Sequence, residues 1–346
     1  MGFTINKQIV RFTPAILILS CIFTVSVLYY FERRKKKTPK TWIKVGNVSK
    51  LYTYPLKSGR YIEQDKVECT KFGLSLITDE DKFQLRDRSF IIYGEADSVG
   101  KSARIYPSMV LITIWSAGKN LVKLTAPEMN PFIFEVPSKN KSNIKSIKFQ
   151  NWSDENVSTI DCGNDASKWI SKYLLQKETG LRLGYHDVSS YRSLSSFKNK
   201  ESLNFYKYLS NECFGLYADL AAALLLNEKT LMDLNEKLEN KVSRTHFRPN
   251  IVVDGPDLLP FAEDDWVWLK IGDVIVRNVK DCTRCVLSTV DPETGLRDLN
   301  REPLKTLSKY RISNGPGKGP IMGVNLEIVA PGVISVGDEV FAGIEE

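Results

Sequence analysis

The first hydrophobic segment of the chain is a run of twenty uncharged residues, 12–31, dominated by Ile, Leu, Val, Phe and Tyr. A helix of about twenty residues spans roughly 30 Å, the thickness of the bilayer core. A cleaved signal peptide has a shorter apolar core that ends at small residues, whereas this run leads into Glu32 and five consecutive cations at residues 33–37. The pattern predicts an uncleaved anchor with the following chain on the cytosolic side.

From residue 48 to about residue 160, short runs of β-branched and aromatic residues alternate with Gly, Pro, Asn and Asp. This spacing is typical of short strands in a small sheet or barrel. The predicted strands are residues 51–54, 90–93, 110–115, 121–124 and 132–136. Asp165 is a candidate N-cap for an amphipathic helix, and we expect a domain boundary between residues 160 and 180.

The second half of the chain mixes helical and strand patterns. Residues 185–201 are polar and rich in serine, which predicts a loop, whereas residues 216–226 are apolar enough to be buried. Asn227 is a candidate cap for a helix with a leucine stripe on one face. Further strands are predicted at residues 251–253, 266–269, 274–276 with 279, and 340–341, and tight turns at 271–273 and 336–338. The body is therefore an α+β protein rich in short strands.

The net charge of +7 is located almost entirely in the N-terminal segment. Residues 1–40 contain eight of the 48 Lys and Arg and one of the 41 Asp and Glu, so the remainder of the chain is formally neutral. A neutral body removes the main support for nucleic-acid binding.

The number of cysteines and the absence of common enzyme motifs limit the kinds of site that the chain can form. Six cysteines in 346 residues are too sparse for a disulfide framework. No HExxH, GxSxG, GxGxxG or P-loop pattern occurs, and the two histidines are far apart. Cys285 follows a strand-like run and lies in a polar turn, where a thiol is available to a metal or a substrate. The alternative is a buried cysteine without chemistry.

Three basic residues lie beside residues that restrict the backbone: Lys57 in Tyr-Pro-Leu-Lys-Ser-Gly, Arg88 in Leu-Arg-Asp-Arg, and Arg248 in Phe-Arg-Pro-Asn. Arg binds phosphate through two parallel hydrogen bonds, and Lys acts as a point charge. If Lys57, Arg88 and Arg248 converge on one thiol, these three residues form a site for a phosphate-bearing cofactor.

Four segments carry a resemblance to a known family. They are Tyr-Pro-Leu-Lys-Ser at 54–58, Leu-Arg-Asp-Arg at 85–88, His-Phe-Arg-Pro-Asn at 246–250, and Cys-Thr-Arg-Cys running into Thr-Val-Asp-Pro-Glu-Thr-Gly at 282–295. Over residues 48–343 the chain resembles the MOSC-domain proteins and, among them, the mitochondrial amidoxime-reducing components. The resemblance implies a MOSC N-terminal β-rich domain in residues 44–176 and a MOSC β-barrel-like domain with flanking helices in residues 177–343, behind a transmembrane anchor in residues 1–40.

The resemblance also implies a molybdenum cofactor, a pterin whose dithiolene holds molybdenum. Cys285 matches the metal-ligating, catalytic position, and Cys282 matches a position that does not ligate. The positions that match cofactor-binding residues are Lys57, Ser58, Arg88, Arg248, Thr283 and Arg284, together with Cys285. A soft thiolate suits molybdenum, and the cofactor's phosphate requires fixed cations.

The implied activity is the reduction of N-hydroxylated compounds such as amidoximes and hydroxylamines, with electrons from NADH through cytochrome b5 reductase and cytochrome b5. The implied location is the mitochondrial outer membrane with the body facing the cytosol, and the endoplasmic reticulum membrane is the alternative. Two other functions stay open: a sulfur-transfer protein and an inactive, membrane-tethered cofactor-binding protein. The chain departs from the family pattern at Leu220 and Ala221, where hydroxyl residues are expected after Asp219, and at Asn325, where an aromatic residue is expected.

Overall fold

The computed structural model describes residues 37–137, 146–152, 155–189, 197–210 and 215–344. Residues Thr41–Glu346 form one compact unit. The predicted anchor, residues 12–31, lies outside the described residues. In the described ranges, no helix is long and apolar enough to cross a bilayer.

The described ranges contain strands, α-helices and short 3-10 turns. The strands are β1 (Thr41–Thr53), β2 (Ile62–Gln64), β3 (Lys66–Thr70), β4 (Gly73–Leu76), β5 (Phe90–Gly94), β6 (Thr113–Gly118), β7 (Leu121–Thr125), β8 (Phe132–Glu135), β9 (Ser146–Trp152), β10 (Glu155–Asp161), β11 (Leu181–Tyr185), β12 (Ala223–Asn227), β13 (Ile251–Asp254), β14 (Trp268–Ile271), β15 (Val274–Thr283), β16 (Ile321–Ala330), β17 (Gly332–Ser335) and β18 (Glu339–Ile344). The helices are α1 (Asn164–Leu175), α2 (Phe197–Phe205), α3 (Glu228–Glu236) and α4 (Leu304–Tyr310), and the 3-10 turns are Pro107–Leu111, Arg244–Phe247, Ala262–Asp264 and Val286–Thr289.

Seven strands close into a barrel in the order β13-β12-β16-β15-β14-β18-β1, with β1 pairing back to β13. The neighbouring pairs are antiparallel except for β12 and β13, which are parallel. Aliphatic side chains such as Leu51, Leu225, Val276 and Leu326 form its buried core. Each such side chain contributes roughly 1.5–3 kcal/mol when fully buried. The predicted α+β class is therefore confirmed, with a closed barrel and few helices.

The first strand belongs to the barrel that the second half of the chain builds. The N-terminal part of β1 pairs with β18, where Thr41 is opposite Ile344. The C-terminal part of β1 pairs with β13, where Leu51 is opposite Ile251. The barrel therefore draws on both halves of the sequence. The predicted division between residues 176 and 177 stays a prediction.

A second core lies under the smaller sheets. The sheet β5-β11-β10-β9 and the sheet β6-β7-β8 contribute buried residues that pack with α1, including Phe90, Leu124 and Ile170. The predicted amphipathic helix is confirmed as α1. The predicted cap at Asp165 is wrong, because the helix begins at Asn164 and Gly163, which has no side chain, occupies the cap position. Asp165 lies in the first turn, where a carboxylate interacts favourably with the helix dipole.

Two local predictions are wrong in part. Residues 110–115 do not form one strand, because the 3-10 turn Pro107–Leu111 occupies the beginning of that run and β6 begins at Thr113. A proline near the first position favours a helical turn there. Residues 185–201 are not entirely a loop, since α2 begins at Phe197.

A buried carboxyl group stabilises the start of α3. Asn227 caps this helix as predicted, because its side chain accepts a hydrogen bond from the Lys229 amide at 2.9 Å. Asn227 Nδ2 and Thr230 Oγ1 both donate to Glu263 Oε2, each at 2.9 Å. Glu263 is fully buried, and this burial raises its pKa to about 7.

We expect Ala at Gly323 to destabilise the barrel much more than Ala at Gly337. Both glycines have positive φ, 75° and 94°, which costs roughly 1–2 kcal/mol for another residue. A Cβ at Gly323 would also lie 2.4 Å from the Leu225 carbonyl oxygen, whereas nothing lies within 4 Å at Gly337. In denaturant unfolding, Gly323→Ala should lose at least about 3 kcal/mol and the control Gly337→Ala about 1 kcal/mol. Equal losses would contradict the close approach of β16 to β12.

We expect Glu263→Gln to become relatively more stable as the pH rises. The folded-state pKa of Glu263 is raised, so its stabilising contribution is complete below its unfolded pKa and is lost as the pH rises through about 7. Between pH 5 and pH 8 the stability difference between the variant and the wild type should shift by about 2 kcal/mol in favour of glutamine. Unfolding at both pH values measures this shift, and a constant difference would show that Glu263 ionises normally.

Candidate active site

A buried tyrosine ring contacts two guanidinium groups. Tyr54 directly follows β1 and is inaccessible to solvent. Arg88 Cζ lies 4.4 Å from the ring centroid, and Arg248 Cζ lies 4.2 Å from it. These are cation–π contacts, which are strongest when desolvated. Burial raises the pKa of Tyr54 far above its ordinary value, so the phenol stays neutral.

The Asn250 side chain connects this cluster to the barrel. Its Nδ2 donates to Asp87 Oδ1 at 2.9 Å and to the Tyr52 carbonyl at 3.1 Å, and its Oδ1 accepts from Arg88 Nη1 and the Leu224 amide, both at 3.1 Å. The amide is therefore fully satisfied in a buried position. Asn250 directly precedes β13, and its side chain joins β1 and β12 to the Arg88 guanidinium.

Asp87 balances the charge of Arg88. Its carboxylate is buried, accepts a hydrogen bond from the Tyr54 amide at 2.9 Å, and is also bonded to Arg88 Nη1. Removing one partner of a buried ion pair is strongly destabilising, because the other charge is left unpaired.

Three predicted site residues have left-handed backbones. The φ angles are 65° at Ser58, 48° at Arg88 and 54° at Arg248. For residues other than glycine this region costs roughly 1–2 kcal/mol each. Such conformations concentrate at functional sites, where the surrounding contacts hold them.

Arg248 and Arg284 each retain a buried donor without a partner among the described residues. Arg248 Nη1 donates to the Gly59 carbonyl at 2.7 Å, but its Nη2 has no partner. Arg284 donates to the Phe247 carbonyl at 2.7 Å and to Cys282 Sγ at 2.8 Å, but its Nε has none. Burial and the nearby Arg88 charge lower the pKa of Arg248 to about 10. A bound anion would relieve both the unpaired donors and the charge repulsion.

Lys57 joins the cluster through the backbone of Tyr217. Lys57 Nζ donates to the Tyr217 carbonyl at 2.8 Å, and the Tyr217 amide donates to the Arg88 carbonyl at 3.0 Å. The ammonium group also pairs with Asp219 at 2.6 Å. Lys57 and Ser58 are both buried.

Cys285 lies at the end of β15, as the sequence indicated. The strand ends at Thr283, and the partly buried Cys285 caps the 3-10 turn Val286–Thr289, where its carbonyl accepts from the Ser288 amide at 3.0 Å. Cys285 is tied to the cationic cluster through its neighbour Arg284. In the described ranges, no three His, Cys, Asp or Glu side chains are grouped so that they could hold a metal ion.

The structure thus brings Lys57, Arg88, Arg248 and Arg284 into one connected network. Asp87 and Asn250 complete it, and sequence reasoning gave neither of them a role although both lie within the quoted motifs. His246, in the same motif as Arg248, instead contacts Ser243 Oγ through Nδ1 at 3.0 Å, and burial lowers its pKa.

Residues 45–177 match the MOSC N-terminal beta barrel domain, and residues 215–341 match the MOSC domain. Mitochondrial amidoxime-reducing component 1 of Mus musculus is 32% identical over 332 residues, which cover 90% of this chain and 86% of the relative. Mitochondrial amidoxime reducing component 2 of Homo sapiens is 33% identical, and the match covers 92% of this chain and 88% of the relative. Component 1 of Danio rerio is 32% identical, and the match covers 95% of this chain and 91% of the relative.

The chain belongs to the MOSC-domain amidoxime-reducing component family. The candidate site has an apolar border formed by Leu220 and Ala221, where the sequence departs from the pattern expected for the family. Ala221 is buried against Leu209 and Val279, and Leu220 packs on the same cluster. Asn325 Nδ2 donates to the Asp281 carbonyl at 3.2 Å. The chain therefore lacks the two hydroxyls and the aromatic ring expected at these positions.

We expect Asp87→Ala to destabilise this MOSC protein by about 3–5 kcal/mol, because it leaves the largely buried Arg88 charge without its carboxylate partner. The matched control is Asp79→Ala, since Asp79 is exposed and its carboxylate pairs with exposed Lys82 at 3.2 Å. The control should change stability by no more than about 0.5 kcal/mol. Denaturant unfolding compares the two, and similar values would mean that Asp87 does not compensate Arg88.

Proposed function

We propose that this protein is a molybdenum-cofactor-dependent reductase of N-hydroxylated compounds such as amidoximes and hydroxylamines. One observation carries the proposal: Cys285 directly follows Arg284 in the chain, and Arg284 and Arg248 both keep buried donors without a partner among the described residues. The names of the relatives, amidoxime-reducing components, agree with it.

The residues present fit the cofactor. The unpaired donors of Arg248 and Arg284 suit a phosphate, and Arg88 and Lys57 add positive charge to the same network. We propose that Ser58 and Thr283 contribute hydroxyl groups to cofactor binding, because they match the family's cofactor-binding positions. Cys285 would supply a soft thiolate to molybdenum, and Cys282 is instead engaged with Arg284.

When bound, the cofactor supplies the two-electron chemistry that cleaves an N–O bond. Two electrons and two protons convert an amidoxime to an amidine and water. The electrons come from NADH through cytochrome b5 reductase and cytochrome b5, the partners that we propose from the family. The chain itself contributes binding and orientation, because Tyr54 and Asn250 fix the guanidinium groups before the cofactor arrives.

We propose the mitochondrial outer membrane as the location, with the body facing the cytosol. The relatives are named as mitochondrial, and the apolar segment at residues 12–31, followed by cations, has the properties of an anchor. The endoplasmic reticulum membrane is the alternative.

A second function is favoured by the apolar border at Leu220 and Ala221. If the cofactor needs hydroxyl donors there, the protein binds it without turning over substrate. Molybdenum in a stoichiometric amount, without reduction of any N-hydroxylated compound, would identify this case.

We expect Cys285→Ala to abolish amidoxime reduction and to lower the molybdenum content, because the metal loses its protein ligand. Cys282→Ser is the matched control, since its hydroxyl preserves an acceptor for Arg284 and Cys285 is untouched. The measurements are molybdenum per protein by elemental analysis and NADH-dependent reduction of benzamidoxime with both electron-transfer partners present. An active Cys285→Ala protein with full molybdenum would overturn the proposed ligand.

A further inference from the structure

The carboxylate of Asp219 lies among the cations of the candidate site. Asp219 Oδ1 accepts a hydrogen bond from Lys57 Nζ at 2.6 Å, and Asp219 Oδ2 lies 3.8 Å from Arg104 Nη2. The pKa of Arg248 is lowered chiefly by burial, and the negative charge of Asp219 acts on that pKa in the opposite direction. One carboxylate of the protein therefore interacts with three cations, as a bound phosphate would.

The two partners of the ion pair between Lys57 and Asp219 differ in their freedom to move. The Lys57 side chain is only 9% exposed, and its ammonium group also donates to the Tyr217 carbonyl at 2.8 Å. The Asp219 side chain is 58% exposed, so water can replace Lys57 as its hydrogen-bond partner at little cost. An anion that competes for the ammonium group would therefore displace the carboxylate and leave the lysine in place.

The residues that follow Asp219 hold its backbone without helping to bind an anion. Leu220 and Ala221 pack in the apolar border, so the whole segment cannot move away without exposing apolar surface. Displacement of the carboxylate is thus left to rotation of the Asp219 side chain. Because neither Leu220 nor Ala221 has a hydroxyl group, their side chains provide no donor to offset the repulsion between Asp219 and an incoming phosphate.

We infer that Asp219 competes with phosphate for Lys57: its carboxylate holds the ammonium group in the ligand-free protein and releases it when a phosphate-bearing ligand binds. The inference rests on the proposed function, because the ligand in question is the phosphate of the cofactor. The exchange forms and breaks no covalent bond, since Lys57 passes from one anion to another. Its consequence is a lower affinity of the site for phosphate than the cations alone would give.

The test uses Asp219→Asn, which removes the negative charge and keeps an oxygen acceptor for Lys57. Asp97→Asn is the matched control, because Asp97 is a 52% exposed carboxylate that pairs at 2.5 Å with Lys101, whose side chain is 14% exposed. The first measurement is the dissociation constant of inorganic phosphate for the cofactor-free, full-length protein, by titration calorimetry at constant ionic strength. The second is the half-time of molybdenum loss from the loaded, full-length protein during dialysis.

Asp219→Asn should tighten phosphate binding by about tenfold and lengthen the half-time of molybdenum loss, whereas Asp97→Asn should change neither. Unchanged, weaker or absent phosphate binding in Asp219→Asn overturns the inference, because the carboxylate would then serve only to position Lys57.

A second background separates competition for Lys57 from charge repulsion at a distance. Lys57→Gln keeps a donor for the Tyr217 carbonyl but lacks the ammonium group for which the two anions compete. In this background Asp219→Asn should improve phosphate binding by less than about twofold. An equal gain in both backgrounds overturns the inference.

The proposed function is judged separately by the wild type. If the wild-type protein takes up no molybdenum, or reduces no N-hydroxylated compound when it is loaded, the reductase proposal fails. The phosphate dissociation constants still decide whether Asp219 competes for Lys57, because they are measured without the cofactor.

Discussion

Two positive charges are held against one buried phenol ring, and the geometry of the candidate site depends on this arrangement. Arg88 and Arg248 would repel each other in an apolar interior, but the Tyr54 ring offers each of them a negative face. Asp87 and Asn250 then fix Arg88 by accepting hydrogen bonds from its Nη1. Because Tyr54 adjoins β1 and Asn250 adjoins β13, the barrel positions the charges and the charges in turn link the barrel to the second core.

The same arrangement explains why the site can be rigid before any ligand binds. Unfavourable backbone angles at Ser58, Arg88 and Arg248 and unpaired donors on Arg248 and Arg284 all raise the energy of the ligand-free site. The buried cores on either side supply the stabilisation that offsets this cost. A ligand that satisfies these donors gains affinity because little further ordering is required.

Local features could be predicted from the sequence where a short segment carries its own signal. Cys285 was placed correctly because a strand-like run ends beside it, and the cap at Asn227 because Asn commonly begins helices. Asp87 and Asn250 were missed since their contact joins residues 163 positions apart and leaves no periodic pattern. The turn at Pro107–Leu111 was missed because its valine and leucine are typical of strands, and tertiary context decided otherwise.

The pairing of the first strand with the last has a consequence for how the protein is made. β18 is synthesised after every other described strand, and until then β1 lacks this antiparallel neighbour in the barrel. Tyr54, which follows β1, therefore reaches its final position late, after the segments that carry Arg88, Arg248 and Cys285 already exist. A ligand that depends on the completed cluster can bind only after these segments have met, and a chain interrupted before β18 would expose an unpaired edge of β1 to aggregation.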